Sequence, residues 1–148
     1  MIVAGVGPGL LTGTCLVQFD TPDGCTLLQA AEVEFENLLA WCEVTLPKAD
    51  RLVVEQFIIN ARTIKNTQAP FSLEAIGVVR AIQLRTPPLK LDMQSATEGK
   101  SLVDNKMLRR LGLWFRGGEG HANDAIRHTV AYAIRKGWRD PRMMPPDA

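Results

Sequence analysis

The sequence predicts an α/β domain built on a five-stranded mixed sheet, three antiparallel strands followed by two parallel ones, with helices on both faces. Three observations carry this. The first 30 residues alternate apolar, β-rich runs with turn residues at Gly7-Pro8-Gly9 and Thr21-Pro22-Asp23-Gly24. Arg51 to Ile59 is a nearly continuous apolar run, as expected of a parallel strand covered on both faces. From Glu34 onward, apolar residues recur at helical spacing between the later strands.

In order, Met1 to Gly7 reads as a first strand, Thr14 to Phe19 as its antiparallel return and Cys25 to Ala30 as a third strand. Phe35, Leu38, Leu39 and Cys42 fall at i, i+3, i+4 and i+7, which predicts a helix over Glu34 to Val44, ended by Pro47. The fourth strand follows at Arg51 to Ile59, then a polar loop from Asn60 to Pro70. Ser72 can cap a helix to about Leu84, with Ala75, Val78, Val79 and Ile82 on its buried stripe. Pro87-Pro88 stops it, and Leu89 to Met93 is a short fifth strand. Val103, Met107 and Leu111 line one side of a helix over Ser101 to Leu111, closed by Gly112. A glycine-rich connection, Trp114 to Gly120, leads into the last helix, His121 to about Lys136.

With 148 residues, the chain suits one domain over 1–139, followed by a proline-rich stretch, 140–148, expected to fray. No window approaches the roughly 18 apolar residues of a membrane span, and no basic segment precedes an apolar one as in a signal peptide. The expectation is a cytoplasmic protein without membrane contact. Cys15, Cys25 and Cys42 lack CxxC spacing, so reduced thiols are expected rather than a disulfide framework or a zinc knuckle. The net charge of +1 conceals an asymmetry: 7 Lys+Arg against 11 Asp+Glu up to Gly99, and 10 against 5 from Lys100 onward. Such a basic final third is either a solvated face or the footprint of a polyanion.

Two features stand out chemically. Glu55 lies inside Val53-Val54-Glu55-Gln56-Phe57, where a carboxylate costs several kcal/mol unless paired, protonated or metal-bound. It is either an acid paired with an arginine or a functional carboxylate. The second is Gly120-His121-Ala122-Asn123-Asp124. One helical turn apart, His121 and Asp124 can converge on one ion, or serve as a cap and a solvated face. His128 lies about 10 Å further along the axis at 1.5 Å per residue, too far to share that ion. Oxygen-rich ligation with one imidazole suits Mg²⁺ or Mn²⁺ better than zinc, and two such ions about 4 Å apart serve phosphodiester cleavage. Together with the basic segment, this indicates a nuclease. Gly5-x-Gly7-x-Gly9 is not a dinucleotide fingerprint, because a strand rather than a helix follows, and no G-x-S-x-G elbow supports a serine hydrolase.

Gly5-Val6-Gly7-Pro8-Gly9, Val54-Glu55-Gln56 and His121-Ala122-Asn123-Asp124-Ala125, in this order and spacing, resemble the RuvC-like Holliday-junction resolvases of the RNase H-like fold, particularly their shorter bacteriophage members. The resemblance covers nearly the whole chain. It implies a homodimeric endonuclease that cuts branched DNA with two divalent cations, Mg²⁺ or Mn²⁺, held by acidic residues. By position, it makes Glu55, Asp124 and His121 metal ligands. Charge and location, loosely supported by the family, add Arg62, Lys65, Lys100 and Lys106 as phosphate contacts. The first-strand motif of that family looks like G-x-D-P-G, and Gly7 stands here at the place of its aspartate. A glycine supplies no side-chain oxygen, so impaired cleavage is implied, through an engineered or acquired substitution. Two other readings remain in view: a non-catalytic branched-DNA-binding protein and, with less support, an ATPase of the related actin-like fold, a class that normally needs two such domains.

Overall fold

The structure, a computed structural model, describes residues 1–20, 23–65 and 69–146. Strand β1 (Ile2–Gly7) pairs antiparallel with β2 (Leu11–Phe19), which pairs antiparallel with β3 (Cys25–Glu34). Strands β4 (Arg51–Glu55) and β5 (Lys90–Gln94) extend the sheet in parallel from β1, giving the order β3-β2-β1-β4-β5. This is the mixed sheet that the sequence predicts. Of the Thr21–Gly24 turn, residues 21 and 22 lie outside the described residues, as do 66–68 of the loop after β4.

Side chains alternate across each strand, so every central strand feeds two cores. On one face, Val3, Cys15, Val17 and Val53 pack beneath α5 (His121–Arg135), with Leu108, Leu111 and Leu113 alongside. On the other, Ala4, Val6, Leu16, Leu52 and Val54 pack against α1 (Leu38–Thr45) and α2 (Ala69–Leu84). Helix α5 lies so close to β1 that a Cβ at Gly5 would fall 2.6 Å from the Ala125 carbonyl oxygen. Among the described residues, no helix is long and apolar enough to cross a membrane.

Several boundaries differ from the sequence expectation. Strand β3 runs on to Glu34, so the first helix begins with a 3-10 turn at Phe35–Asn37 and becomes α-helical only at Leu38. Strand β4 stops at Glu55 because its partner β5 ends at Gln94. The Gln56 amide donates to the Gln94 carbonyl (2.6 Å), and beyond it Ile58 and Ile59 are exposed. The helix read over Ser101 to Leu111 is two helices, α3 (Ala96–Leu102) and α4 (Asn105–Arg110). Val103 between them is extended and buried, and the Asp104 side chain caps α4 by accepting from the Met107 amide at 2.8 Å.

The segment after Arg139, expected to fray, instead carries a 3-10 turn at Pro141–Met143. Asp140 accepts from the Gly24 amide and from the Arg142 amide and guanidinium, while Arg110 donates to the carbonyls of Arg142 and Met143. The Arg142 guanidinium holds the Asp140 carboxyl below the usual carboxylate range. Trp138 packs edge-on against Phe19, centroids 4.9 Å apart, and donates from Nε1 to the Gly24 carbonyl.

Candidate active site

Residues paired across a sheet point to the same side. Gly13 of β2 faces Gly7 of β1, and Glu55 of β4 faces Gln94 of β5. The β1–β4 register passes through Gly5↔Val53 and Val6↔Val54, so one further step sets Gly7 beside Glu55. Gly13, Gly7, Glu55 and Gln94 therefore form a row at the C-terminal ends of the parallel strands, on the face covered by α5. Open α/β sheets bind their ligands at such edges.

The two glycines of the row differ in purpose. A Cβ at Gly13 would collide with the His121 carbonyl, so its bareness admits the first turn of α5. A Cβ at Gly7 would meet nothing within 4 Å. The first-strand position beside Glu55 is open space.

Glu55 is two-thirds shielded and is held by His128, whose Nε2 lies 3.0 Å from Glu55 Oε2. The imidazole is 2% exposed. With the Gln94 amide nitrogen donating to Nδ1 at 2.8 Å and the Gln94 oxygen accepting from Arg135, the imidazole proton sits on Nε2 and is donated to Glu55. Gly99 of α3 makes room for this ring, since a Cβ there would fall 2.9 Å from His128 Cε1. A chain of hydrogen bonds thus runs from Arg135 through Gln94 and His128 to the carboxylate, satisfying a group that burial would otherwise penalise.

The other residues expected in the site are placed differently. Asp124 pairs with Arg127 on its own helix. That guanidinium, nearly buried, also bonds Asn105 and donates to the Val103 carbonyl at 2.9 Å, tying α5 to the break between α3 and α4. His121 is half-exposed and lies 3.6 Å from Glu119. Among the described residues, no three His, Cys, Asp or Glu side chains converge to hold a metal ion. Arg62 and Lys65 are exposed on and beside the 3-10 turn Thr63–Lys65, while Lys100 and Lys106 line an open cleft of about 570 Å³ with Asp124 and Arg127.

Several contributors are not apparent from the sequence. His128, two turns along the helix from His121, is the residue that reaches Glu55. Gln94 and Gly99 gave no chemical signal and matter only through the fold. Glu32 of β3 caps α5 from outside, accepting from the Glu119 amide at 2.7 Å and the His121 amide at 3.1 Å where Gly120 has no side chain to offer. Asn123 is structural: its amide both accepts from and donates to the Phe115 backbone.

No protein-family model matches the sequence, and no curated protein matches it. Solved structures do match the fold. Thermus thermophilus RuvC aligns with a TM-score of 0.74 and 18% identity over 93% of this chain and 97% of that one. T. thermophilus RuvC in complex with a Holliday junction substrate aligns at 0.72 and 19%, covering 93% and 96%. The yeast mitochondrial Holliday junction resolvase aligns at 0.53 and 12%, covering 87% and 75%. The chain has the RNase H-like fold of these proteins.

Proposed function

We propose that this chain is a structure-selective endonuclease of the junction-resolving type, acting on branched DNA as a homodimer with Mg²⁺ or Mn²⁺, and that Gly7 impairs its cleavage. One observation carries the reading: an open, side-chain-free position stands beside a shielded glutamate at the C-terminal edge of β1 and β4, under a helix carrying His121 and Asp124. A structure of similar fold is that of RuvC bound to a Holliday junction substrate, which supports branched DNA as the ligand.

The residues present do not fit a two-ion site. Glu55 is engaged by His128, Asp124 by Arg127, and Gly7 offers no donor. An aspartate at position 7 would enter free space next to Glu55 and supply the missing carboxylate. Glu55, His121 and Asp124 are the ligands we assign to the site so completed. Arg62, Lys65, Lys100 and Lys106 are assigned as phosphate contacts, which position the duplex arms without reading bases.

The internal engagement of both carboxylates favours a second reading, a branched-DNA-binding protein without catalysis. The test compares the parent chain and Gly7→Asp on four-way junction, flap and linear duplex DNA, with Mg²⁺ and with Mn²⁺. The endonuclease reading expects both proteins to bind junctions and the variant to cleave them faster by several orders of magnitude. Binding by both proteins without cleavage by either would instead support the second reading. Sedimentation equilibrium checks the homodimer, with twice the 16.3 kDa chain mass expected.

A further inference from the structure

Beside the candidate active site lies a second basic surface that the reading above does not use. Arg109, Gly112, Trp114 and Arg116 line an open cleft of about 540 Å³ between the end of α4 and the glycine-rich connection into α5. The Arg109 guanidinium sits 4.2 Å above the Trp114 ring, and Arg116, also on the cleft wall, is exposed.

The carboxylates of the flanking elements are engaged elsewhere, and Glu119 of the connection lies 3.6 Å from His121 Nε2. Asp104 caps α4, Glu98 pairs with Arg135, Asp124 pairs with Arg127, and Glu32 accepts from the amides at the start of α5. Among the described residues, no carboxylate lies within ion-pair distance of Arg109 or Arg116. Arg110, by contrast, spends its guanidinium on backbone carbonyls of the C-terminal turn. Two arginines left without counter-charge, one held flat by an aromatic ring, make a surface pre-set for planar recognition of phosphate. The cation–π contact reduces the ordering cost of Arg109, and the outer face of its guanidinium stays free to stack on a base.

We propose that the Arg109–Trp114–Arg116 cleft binds a nucleic-acid strand, taking a phosphodiester between the two guanidiniums, and so extends the DNA contact of the candidate active site across α4. This rests on the branched-DNA reading for its biological setting, but the cleft can be probed directly. The probe is oligothymidylate, titrated into the folded chain while tryptophan fluorescence is followed, with a four-way junction titrated in parallel.

Oligothymidylate is expected to change the Trp114 signal, and Trp114→Phe to abolish that change while keeping binding. Arg116→Glu, an exposed substitution that leaves the melting temperature unchanged, is expected to weaken binding about tenfold and to reduce the slope of log affinity against log salt by about 0.7 per lost single-strand contact. Unchanged affinity and salt slope in both Arg116→Glu and Arg109→Ala would overturn the assignment, as would a fluorescence change that survives Trp114→Phe. If the parent shows no preference for the junction, yet oligothymidylate binding depends on Arg116, the cleft stands and the branched-DNA reading falls. If junction binding is strong and indifferent to Arg116, the reverse holds.

Discussion

The two ends of the α5 face are built on opposite principles. At one end Phe19, Trp138 and Asp140 close the sheet against the C-terminal turn, with apolar contact and a fully bonded carboxylate. At the other end the buried His128 bonds both the buried Gln94 and the partly shielded Glu55, and the neighbouring position, Gly7, is left bare. The first end converts burial into stability. The second holds a carboxylate in a fixed place at a cost in apolar packing, as a reactive or ligand-binding site requires.

That contrast can be broken at either end. Trp138→Ala removes a large buried ring with its hydrogen bond, and the expected loss is about 3–5 kcal/mol in denaturant unfolding. Next in size is the glycine comparison along β1. Gly5→Ala forces a methyl against the Ala125 carbonyl and the Thr129 and Cys15 side chains, and is expected to cost about 1–3 kcal/mol or more. Gly7→Ala enters open space and should change stability by less than about 0.5 kcal/mol. Equal losses at the two positions would refute the open-site geometry.

Strong acid should loosen the clasped end. The Asp140 carboxyl is lowered in the folded chain by the Arg142 guanidinium, so its contribution is in place above the ordinary value of 3.8 and fades as pH falls through the lower folded value. A loss of Trp138 fluorescence anisotropy over that acid range, absent in Asp140→Asn, checks this. The smallest effect concerns the thiols. Burial pushes Cys15 and Cys42 up to about 12, so neither should react with a thiol reagent at pH 8 in the folded chain. Because these groups are raised above their unfolded value of 9.0, stability should decline as pH rises beyond it.

The fold was legible because period-2 and helical patterns, turn residues and the apolar run at Leu52–Val54 are local signals. The succession of three antiparallel and two parallel strands, and the anomaly of Glu55, are readable directly, whereas the order β3-β2-β1-β4-β5 comes from the structure. The partner of Glu55 did not, because helix spacing relates His121 to Asp124 but says nothing of which turn of α5 lies over β4. That is fixed by Gly5 and Gly13, whose missing side chains set the height and position of the helix. The division of α3 from α4 was readable only in part: Asp104 is a capping residue, yet Val103, Met107 and Leu111 also suit one unbroken stripe. The docking of the C-terminal turn carries no local signal, because Gly24, which donates to Asp140, and Arg110, which donates to the Arg142 and Met143 carbonyls, lie far from it in sequence.

The central claim is that position 7 is an empty carboxylate place beside Glu55. Calorimetric titration of Mn²⁺ into the parent chain and into Gly7→Asp, without DNA, tests it most directly. The expected result is a specific site in the variant that the parent lacks and that Glu55→Gln removes again. Identical titrations for parent and variant would contradict it.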